Sequence, residues 1–235
     1  MWDPQWETYR PSHRVLRYDL RGFGRSPIGP GRFSHAGDLV ELLDRQGMEK
    51  ASLVAVSMGG RVALEVALAR PELVEALVLV GPGFPGHDWS AEMKAADAAE
   101  MEALERGDID AAVEVCMRTW VVGPRRKPED VDPAVRELVA KMQRRACELQ
   151  MPVWETAEEE PLVGDLPERL GEVTVPTLIL VGEEDILDMH QIADRLEREL
   201  PNAQRASIAD TAHVPSLERP REFDQLVLPF LQSVQ

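Results

Sequence analysis

A serine flanked by small residues follows a short apolar run, at residues 55–60 (AVSMGG). A nucleophilic serine on a sharp strand-to-helix turn needs small residues two positions before and after it, because larger side chains would clash in the strained turn. Ala55 and Gly59 meet that need, although glycine is usual at the first position. Such a turn exposes the Ser57 hydroxyl and presents the Met58 N–H at a helix N-terminus, ready to stabilise an oxyanion. An ordinary turn with a chance serine is the alternative interpretation.

An acidic residue and a histidine follow later apolar runs, in the order that would activate this serine. Asp185 comes just past one such run and could orient a histidine, with Glu184 and Asp188 as alternatives. His213 lies in the loop before the last predicted helix, where a general base can reach the serine. Alone, the acidic segment is more typical of a solvated turn, and a single histidine is usually structural. The order nucleophile, acid, histidine, each after a strand, predicts a triad of Ser57, Asp185 and His213.

Short apolar runs alternate with amphipathic stretches along most of the chain. The apolar runs predict strands at residues 14–19, 51–56, 76–80, 177–181 and 204–208, with the run at 51–56 typical of a buried parallel strand. The amphipathic stretches predict helices at residues 34–46, 58–70 and 220–231, the first with Ser34 as its N-cap. Strands alternating with helices indicate an α/β fold, a mostly parallel sheet with helices on both faces. Ligands in such sheets gather at the carboxyl ends of the strands, so chemistry is expected there.

Residues 86–160 break this alternation. They are acidic and rich in methionine, and helical periodicity is clear at residues 95–106 and 133–150. We predict a helical cap insertion over the sheet edge, between core segments 1–85 and 161–235. Large adaptable side chains of this segment could line a substrate pocket. The candidates, any of which could equally pack the cap onto the core, are Trp120, Met117, Met142 and Trp154.

The formal net charge is −16 and the sequence pI is about 4.8. Such a surface repels phosphate backbones and anionic membranes, so nucleic acid and membrane partners are not expected. A local pocket can differ from the whole surface, so acidic substrates are not excluded. The first residues lack the basic head and apolar core of a signal peptide, and no apolar run reaches membrane-spanning length. With Cys116 and Cys147 predicted to be reduced, we expect a soluble cytoplasmic protein.

Four segments, in chain order, resemble the α/β-hydrolase superfamily. They are residues 18–26 (YDLRGFGRS), the Ser57 turn, residues 181–185 (VGEED) and residues 212–215 (AHVP). The match covers nearly the whole chain outside the cap. Within the superfamily the chain resembles small-molecule esterases and 3-oxoadipate enol-lactonase-like hydrolases, to which residues 119–124 (TWVVGP) add some weight. The resemblance implies an α/β-hydrolase fold with a cap.

The front of the chain departs from this pattern. Family members begin with a strand hairpin and a third strand that ends in a His-Gly loop, which donates a second oxyanion N–H. This chain begins with residues that resemble the helix after that loop, and it has no His-Gly dipeptide. We therefore expect an N-terminally truncated form with a gap in the sheet beside residues 51–56. A short form with a rearranged sheet is the alternative. Loss of the second donor would lower turnover about 10²–10³-fold.

The resemblance implies a serine hydrolase that cleaves a small carboxylic ester or lactone through an acyl-enzyme, without a metal or organic cofactor. Haloalkane dehalogenases and epoxide hydrolases of this fold are similar but use an aspartate nucleophile, so Ser57 argues against both. Carbon–carbon bond hydrolases and cofactor-free haloperoxidases share the triad and stay open as alternatives. A catalytically impaired form that only binds a ligand is a further alternative. Neither the oligomeric state nor the identity of the substrate follows from the sequence.

Overall fold

A computed structural model describes residues 1–234, which form six strands and nine helices. The strands are β1 (Gly31–Phe33), β2 (Ala51–Val56), β3 (Val74–Val80), β4 (Ala157–Glu159), β5 (Thr177–Gly182) and β6 (Ala203–Ile208). The helices are α1 (Asp3–Tyr9), α2 (His35–Arg45), α3 (Met58–Ala69), α4 (Ala91–Glu105), α5 (Ile109–Cys116), α6 (Pro133–Gln150), α7 (Leu187–Glu199), α8 (Pro215–Glu218) and α9 (Pro220–Ser233). Short 3₁₀ turns and one π-helical segment, Met117–Val122, connect them.

The main sheet is parallel and has the strand order β2-β3-β5-β6. Successive side chains of a strand point to opposite faces, so each strand supplies two cores. Leu77 and Leu79 of β3 join the larger core with α2, α3 and α7, whereas Val78 and Val80 join a second core with α9. Helices therefore cover both faces, and the α/β fold with a parallel sheet that the alternation predicts is confirmed.

The helices predicted outside residues 86–160 and most predicted strands form within two residues of their expected bounds. Ser34 caps α2 as expected, since its hydroxyl accepts a hydrogen bond of 3.1 Å from the Gly37 N–H. The runs expected at residues 76–80 and 177–181 become β3 and β5, which extend slightly further. These are the segments whose burial on both faces leaves the clearest apolar pattern.

The strand predicted at residues 14–19 is wrong. Residues 14–20 form no strand, and Leu16 and Tyr18 are exposed. The run at residues 51–56 forms the predicted parallel strand, β2, which pairs with β3. Every one of its residues is only half-buried, so the expected burial of this strand is wrong. A strand persists through its ladder hydrogen bonds, and among the described residues no strand pairs with the outer side of β2.

Residues 86–160 contain the long helices α4, α5 and α6, two of which the periodicity predicted. The segment also contains β4, which pairs in parallel with β1 in a separate two-stranded sheet that the sequence did not indicate. Cys116 and Cys147 are free and buried. No helix within residues 1–234 is both long and apolar enough to cross a membrane.

Candidate active site

Ser57 occupies a strained turn between β2 and α3. Its backbone has φ 53° and ψ −124°, and in residues 1–234 only Asp210 shares a positive φ without being glycine. Such a conformation costs about 1–3 kcal/mol and persists only where surrounding contacts hold it. Here the Ser57 N–H donates to the Val80 carbonyl at 2.9 Å, and the Ser57 carbonyl accepts from Gly60 and Gly83 at 2.8 Å. The strain is therefore held in place by β3 and the loop after it.

Sterics require glycine at Gly60 in this turn, whereas Gly59, the position predicted from the sequence, has room for a Cβ. A Cβ added at Gly60 would lie 2.5 Å from the Cβ of Pro82, which no side chain tolerates. A Cβ at Gly59 would lie 3.7 Å from the Ala55 Cβ, so Ala55 is itself accommodated. The Met58 N–H is at the first position of α3, where a backbone donor has no intrahelical partner and can serve an oxyanion.

His213 and Asp185 form a buried pair. The Nδ1 of His213 lies 2.9 Å from Oδ2 of Asp185, whose other oxygen accepts a 2.9 Å hydrogen bond from the Ile186 N–H. Asp185 is fully buried and His213 is 6% exposed. With Nδ1 donating to the carboxylate, Nε2 is the ring nitrogen left to accept a proton. Nε2 is buried and has no hydrogen-bond partner among residues 1–234.

A glycine lets this pair reach the end of β3, next to the Ser57 turn. A Cβ on Gly81 would come within 2.9 Å of two His213 ring atoms and 3.3 Å of the Asp185 carboxylate. Gly81 directly follows Val80, whose carbonyl holds the Ser57 N–H. Asp185 and His213 therefore lie beside the carboxyl end of β3, next to the residue that holds the Ser57 turn, at the edge of the sheet where ligands of such folds gather. Within residues 1–234 no hydrogen bond joins the Ser57 hydroxyl to His213.

The two alternative acids have other partners. Glu184 pairs with Arg125 at 2.9 Å. Asp188 accepts 2.7 Å hydrogen bonds from the N–H and hydroxyl of Ser90, and lies 3.1 Å from Nε2 of His87. Burial alone would raise the pKa of Asp188, but these hydrogen bonds lower it overall. Asp188 thus ties the start of α4 to α7, and Asp185 is the acid that contacts the histidine.

A cavity of about 430 Å³ opens beside the serine. Its apolar walls come from Phe84, Trp89, Trp120 and Met189. The Trp120 ring packs 4.5 Å from the His213 ring, centroid to centroid. Three of these wall residues were missed from the sequence. Phe84 and Trp89 follow the end of β3, so the rule that ligands gather at strand ends would have found them.

The other pocket candidates lie elsewhere. Met117 is buried in a separate cluster with Val113, Val121 and Val214, where it packs the π-helical segment onto the core. Met142 lies on α6, Trp154 is 38% exposed, and neither is among the described residues that line the cavity. Of the four candidates, the structure places Trp120 at the cavity.

A buried ion pair fastens the segment that carries Trp120 to the loop that carries His213. Arg126 and Glu218 meet at 2.7 Å, with their side chains 8% and 6% exposed. Arg126 also donates to the carbonyls of Val121, Val122 and Asp210, and Glu218 accepts from the Ala212 N–H. The His213 N–H donates to the Trp120 carbonyl at 3.1 Å. These contacts join the cavity wall at Trp120 and the loop of His213 into one hydrogen-bonded unit.

Replacing Glu218 with alanine is expected to lower the free energy of unfolding by about 3–5 kcal/mol, because it leaves the Arg126 charge buried without its partner. Urea unfolding followed by circular dichroism measures this. Glu222→Ala, at an exposed position on α9, is the matched control and should cost less than about 1 kcal/mol. Equal stability of the two variants would show that the pair does not hold this unit together.

Comparison with known proteins relates the whole chain to a family. A family model described as the alpha/beta hydrolase family matches residues 1–226. A Rhizobium rhizogenes protein provisionally named carbamate hydrolase RutD is 28% identical over 99% of this chain and 87% of its own length. The pimeloyl-[acyl-carrier protein] methyl ester esterase of Pectobacterium atrosepticum is 27% identical over 99% and 89%. A hydrolase structure from Pseudomonas aeruginosa superposes with a TM-score of 0.77 at 26% identity, covering 98% of this chain and 84% of that one.

Proposed function

The chain belongs to the alpha/beta hydrolase family, and we propose that it is a serine hydrolase that cleaves small carboxylic esters or lactones through an acyl-enzyme on Ser57. The buried pair of His213 and Asp185, positioned beside the strained Ser57 turn, is the observation that carries this proposal. A methyl ester esterase among the similar proteins supports the ester class. The carbamate hydrolase name supports acyl transfer to water more generally.

In the proposed reaction, the Ser57 hydroxyl attacks the substrate carbonyl while Nε2 of His213 takes its proton. Asp185 holds the imidazole in the tautomer with Nδ1 protonated and stabilises the imidazolium that forms. The Met58 N–H donates to the developing oxyanion. The imidazolium then protonates the leaving oxygen, which departs as an alcohol or as the opened end of a lactone. Water, deprotonated by the same Nε2, hydrolyses the acyl-enzyme and restores the serine.

The helical segment at residues 86–160 acts in this proposal as a cap that shapes the acyl site. Trp89 and Trp120 bring two large apolar surfaces from that segment to the cavity. A cavity of about 430 Å³ suits a small, mostly apolar acyl group. Every chemical step is carried out by protein groups, so the mechanism needs neither a metal nor an organic cofactor. The free thiols Cys116 and Cys147 support our placement of the reaction in the reducing cytoplasm.

Covalent labelling with a fluorophosphonate tests the proposal directly. We expect one phosphonate per folded chain, attached to Ser57, because only a serine beside a general base attacks phosphorus readily. Intact-mass measurement counts the adducts and peptide mapping places them, and the heat-denatured chain serves as the unlabelled control. A folded chain that stays unlabelled would favour the ligand-binding alternative. An adduct on another serine would contradict the triad.

A substrate screen then separates reactions that share the triad. We expect turnover of short-chain 4-nitrophenyl esters and of simple lactones. Faster turnover of vinylogous diketones would instead indicate carbon–carbon bond hydrolysis. Peroxide-dependent halogenation would indicate a haloperoxidase.

A further inference from the structure

An arginine stands next to the nucleophile in the catalytic cavity. Arg61 lies four residues after Ser57 on α3, and both line the cavity. Arg61 lies in the first turn of α3, directly after the Ser57 turn, and shares the cavity lining with the proposed nucleophile. An arginine in this place would ordinarily be expected to bind a carboxylate or phosphate of the substrate, because its planar fork of donors fits such groups.

The guanidinium of Arg61 already binds two carboxylates of the protein itself. Nη1 lies 2.5 Å from Oε1 of Glu65, and Nη2 lies 2.7 and 2.8 Å from the two oxygens of Glu159. Glu65 is 2% exposed, and its second oxygen accepts a 2.7 Å hydrogen bond from the Leu162 N–H. Two carboxylates thus face one guanidinium. The cluster carries a net charge of about −1 when all three groups are ionised at neutral pH.

The other charged groups around the cavity do not offset the negative charge of this cluster. Lys94 lines the cavity but binds Asp88 at 2.8 Å, and Asp97 adds a further carboxylate to the lining. His35 interacts electrostatically with Arg61 and Glu159, but burial lowers its pKa, so it adds no positive charge at pH 7.5. Among the described residues that line the cavity, each cation has a carboxylate partner.

We propose that the cluster of Arg61, Glu65 and Glu159 makes this cavity select uncharged acyl groups over acyl groups that end in a carboxylate. The inference rests on the proposed hydrolase function and narrows its substrate class. An anionic acyl chain would lose hydration on entering the cavity. It would find the Arg61 guanidinium already bound to Glu65 and Glu159, in a cluster whose net charge is negative. A neutral apolar chain can instead pack against the aromatic and methionine walls without a charge to desolvate.

Glu159 allows a test that leaves the catalytic walls in place. Glu65 and Glu159 line a second cavity, of about 200 Å³, which shares Arg61 with the first. Glu159→Gln therefore frees positive charge on Arg61 without changing a side chain that lines the catalytic cavity, and the amide oxygen can still accept from Nη2. Glu158→Gln is the matched control, because it removes the same charge from the next residue. Glu158 pairs at the surface with Arg32, both side chains being 69% exposed.

The probes are 4-nitrophenyl heptanoate and the mono-4-nitrophenyl ester of adipic acid, which have acyl chains of similar length and differ in the terminal carboxylate. For the wild type we expect kcat/KM for the neutral ester to exceed that for the anionic ester by about tenfold or more, the scale of one unit charge several ångströms away. The preference should shrink as NaCl rises from about 0.05 to 0.5 M, since salt screens it. Glu159→Gln should raise the anionic-to-neutral ratio about tenfold, and Glu158→Gln should leave it within about twofold.

The possible outcomes distinguish a failure of the charge selectivity from a failure of the proposed hydrolase function. A merely structural ion pair would change the rates for both esters together and leave their ratio unaltered, which would overturn the selectivity. A wild type that prefers the anionic ester, or that is indifferent to charge and salt, also overturns it, whether or not the variant folds. Absence of both cleavage and phosphonate labelling overturns the hydrolase function and the selectivity with it.

Discussion

Replacing Ser57 with alanine is expected to lower kcat for 4-nitrophenyl heptanoate by about 10⁴–10⁶-fold, the scale seen when a catalytic serine is removed. The variant keeps His213 and the Met58 N–H but has no oxygen to form the acyl-enzyme. The remaining rate would come from the oxyanion donor and from binding alone. Steady-state kinetics at saturating ester, with the background hydrolysis subtracted, measures the loss.

The fold should tolerate this change. The Ser57 side chain makes no hydrogen bond within residues 1–234, and alanine meets the same backbone strain at φ 53°. We therefore expect the free energy of unfolding to stay within about 1 kcal/mol of the wild type. Ser52→Ala, on the half-buried strand β2, is the matched control and should keep activity within about twofold. A Ser57→Ala variant with near wild-type turnover would contradict the nucleophile assignment.

The sequence predicts best the parts of this protein that are decided locally. The central strands β3 and β5 are buried on both faces, so their apolar runs identify them without knowledge of their neighbours. The helix α2 carries its own cap in Ser34. The candidate triad is also visible, because each member follows a strand and the order along the chain is restrictive.

Contacts between distant segments account for what the sequence did not predict. Residues 14–19 have a strand-like composition, but whether they form a strand depends on a partner elsewhere in the chain. The pair of Arg61 and Glu159 spans 98 positions, and that of Arg126 and Glu218 spans 92. No local pattern marks either pair. Contacts with distant residues also explain why Met117, a residue type common in pockets, packs into a separate buried cluster instead.

Replacing Asp185 with asparagine is expected to lower kcat by about 10⁴-fold while leaving the site geometry in place. Asp185 is fully buried, and its two oxygens bind His213 and the Ile186 N–H. A neutral amide cannot stabilise the imidazolium, and an amide N–H directed at Nδ1 would place the ring proton on Nε2, where it blocks acceptance of the serine proton. Neutral-ester kinetics of the folded variant measure the effect.

The neighbouring acids make this experiment decisive for the choice among the three carboxylates. Glu184→Gln removes a charge one residue away, at a site paired with Arg125, and should change kcat less than about threefold. Asp188→Asn weakens the link from α7 to Ser90 and His87, so it should lower stability by about 1–3 kcal/mol but kcat by less than tenfold. If Asp188→Asn removed activity while Asp185→Asn kept it, the acid would be Asp188, and His213 would have to leave its present partner to reach it.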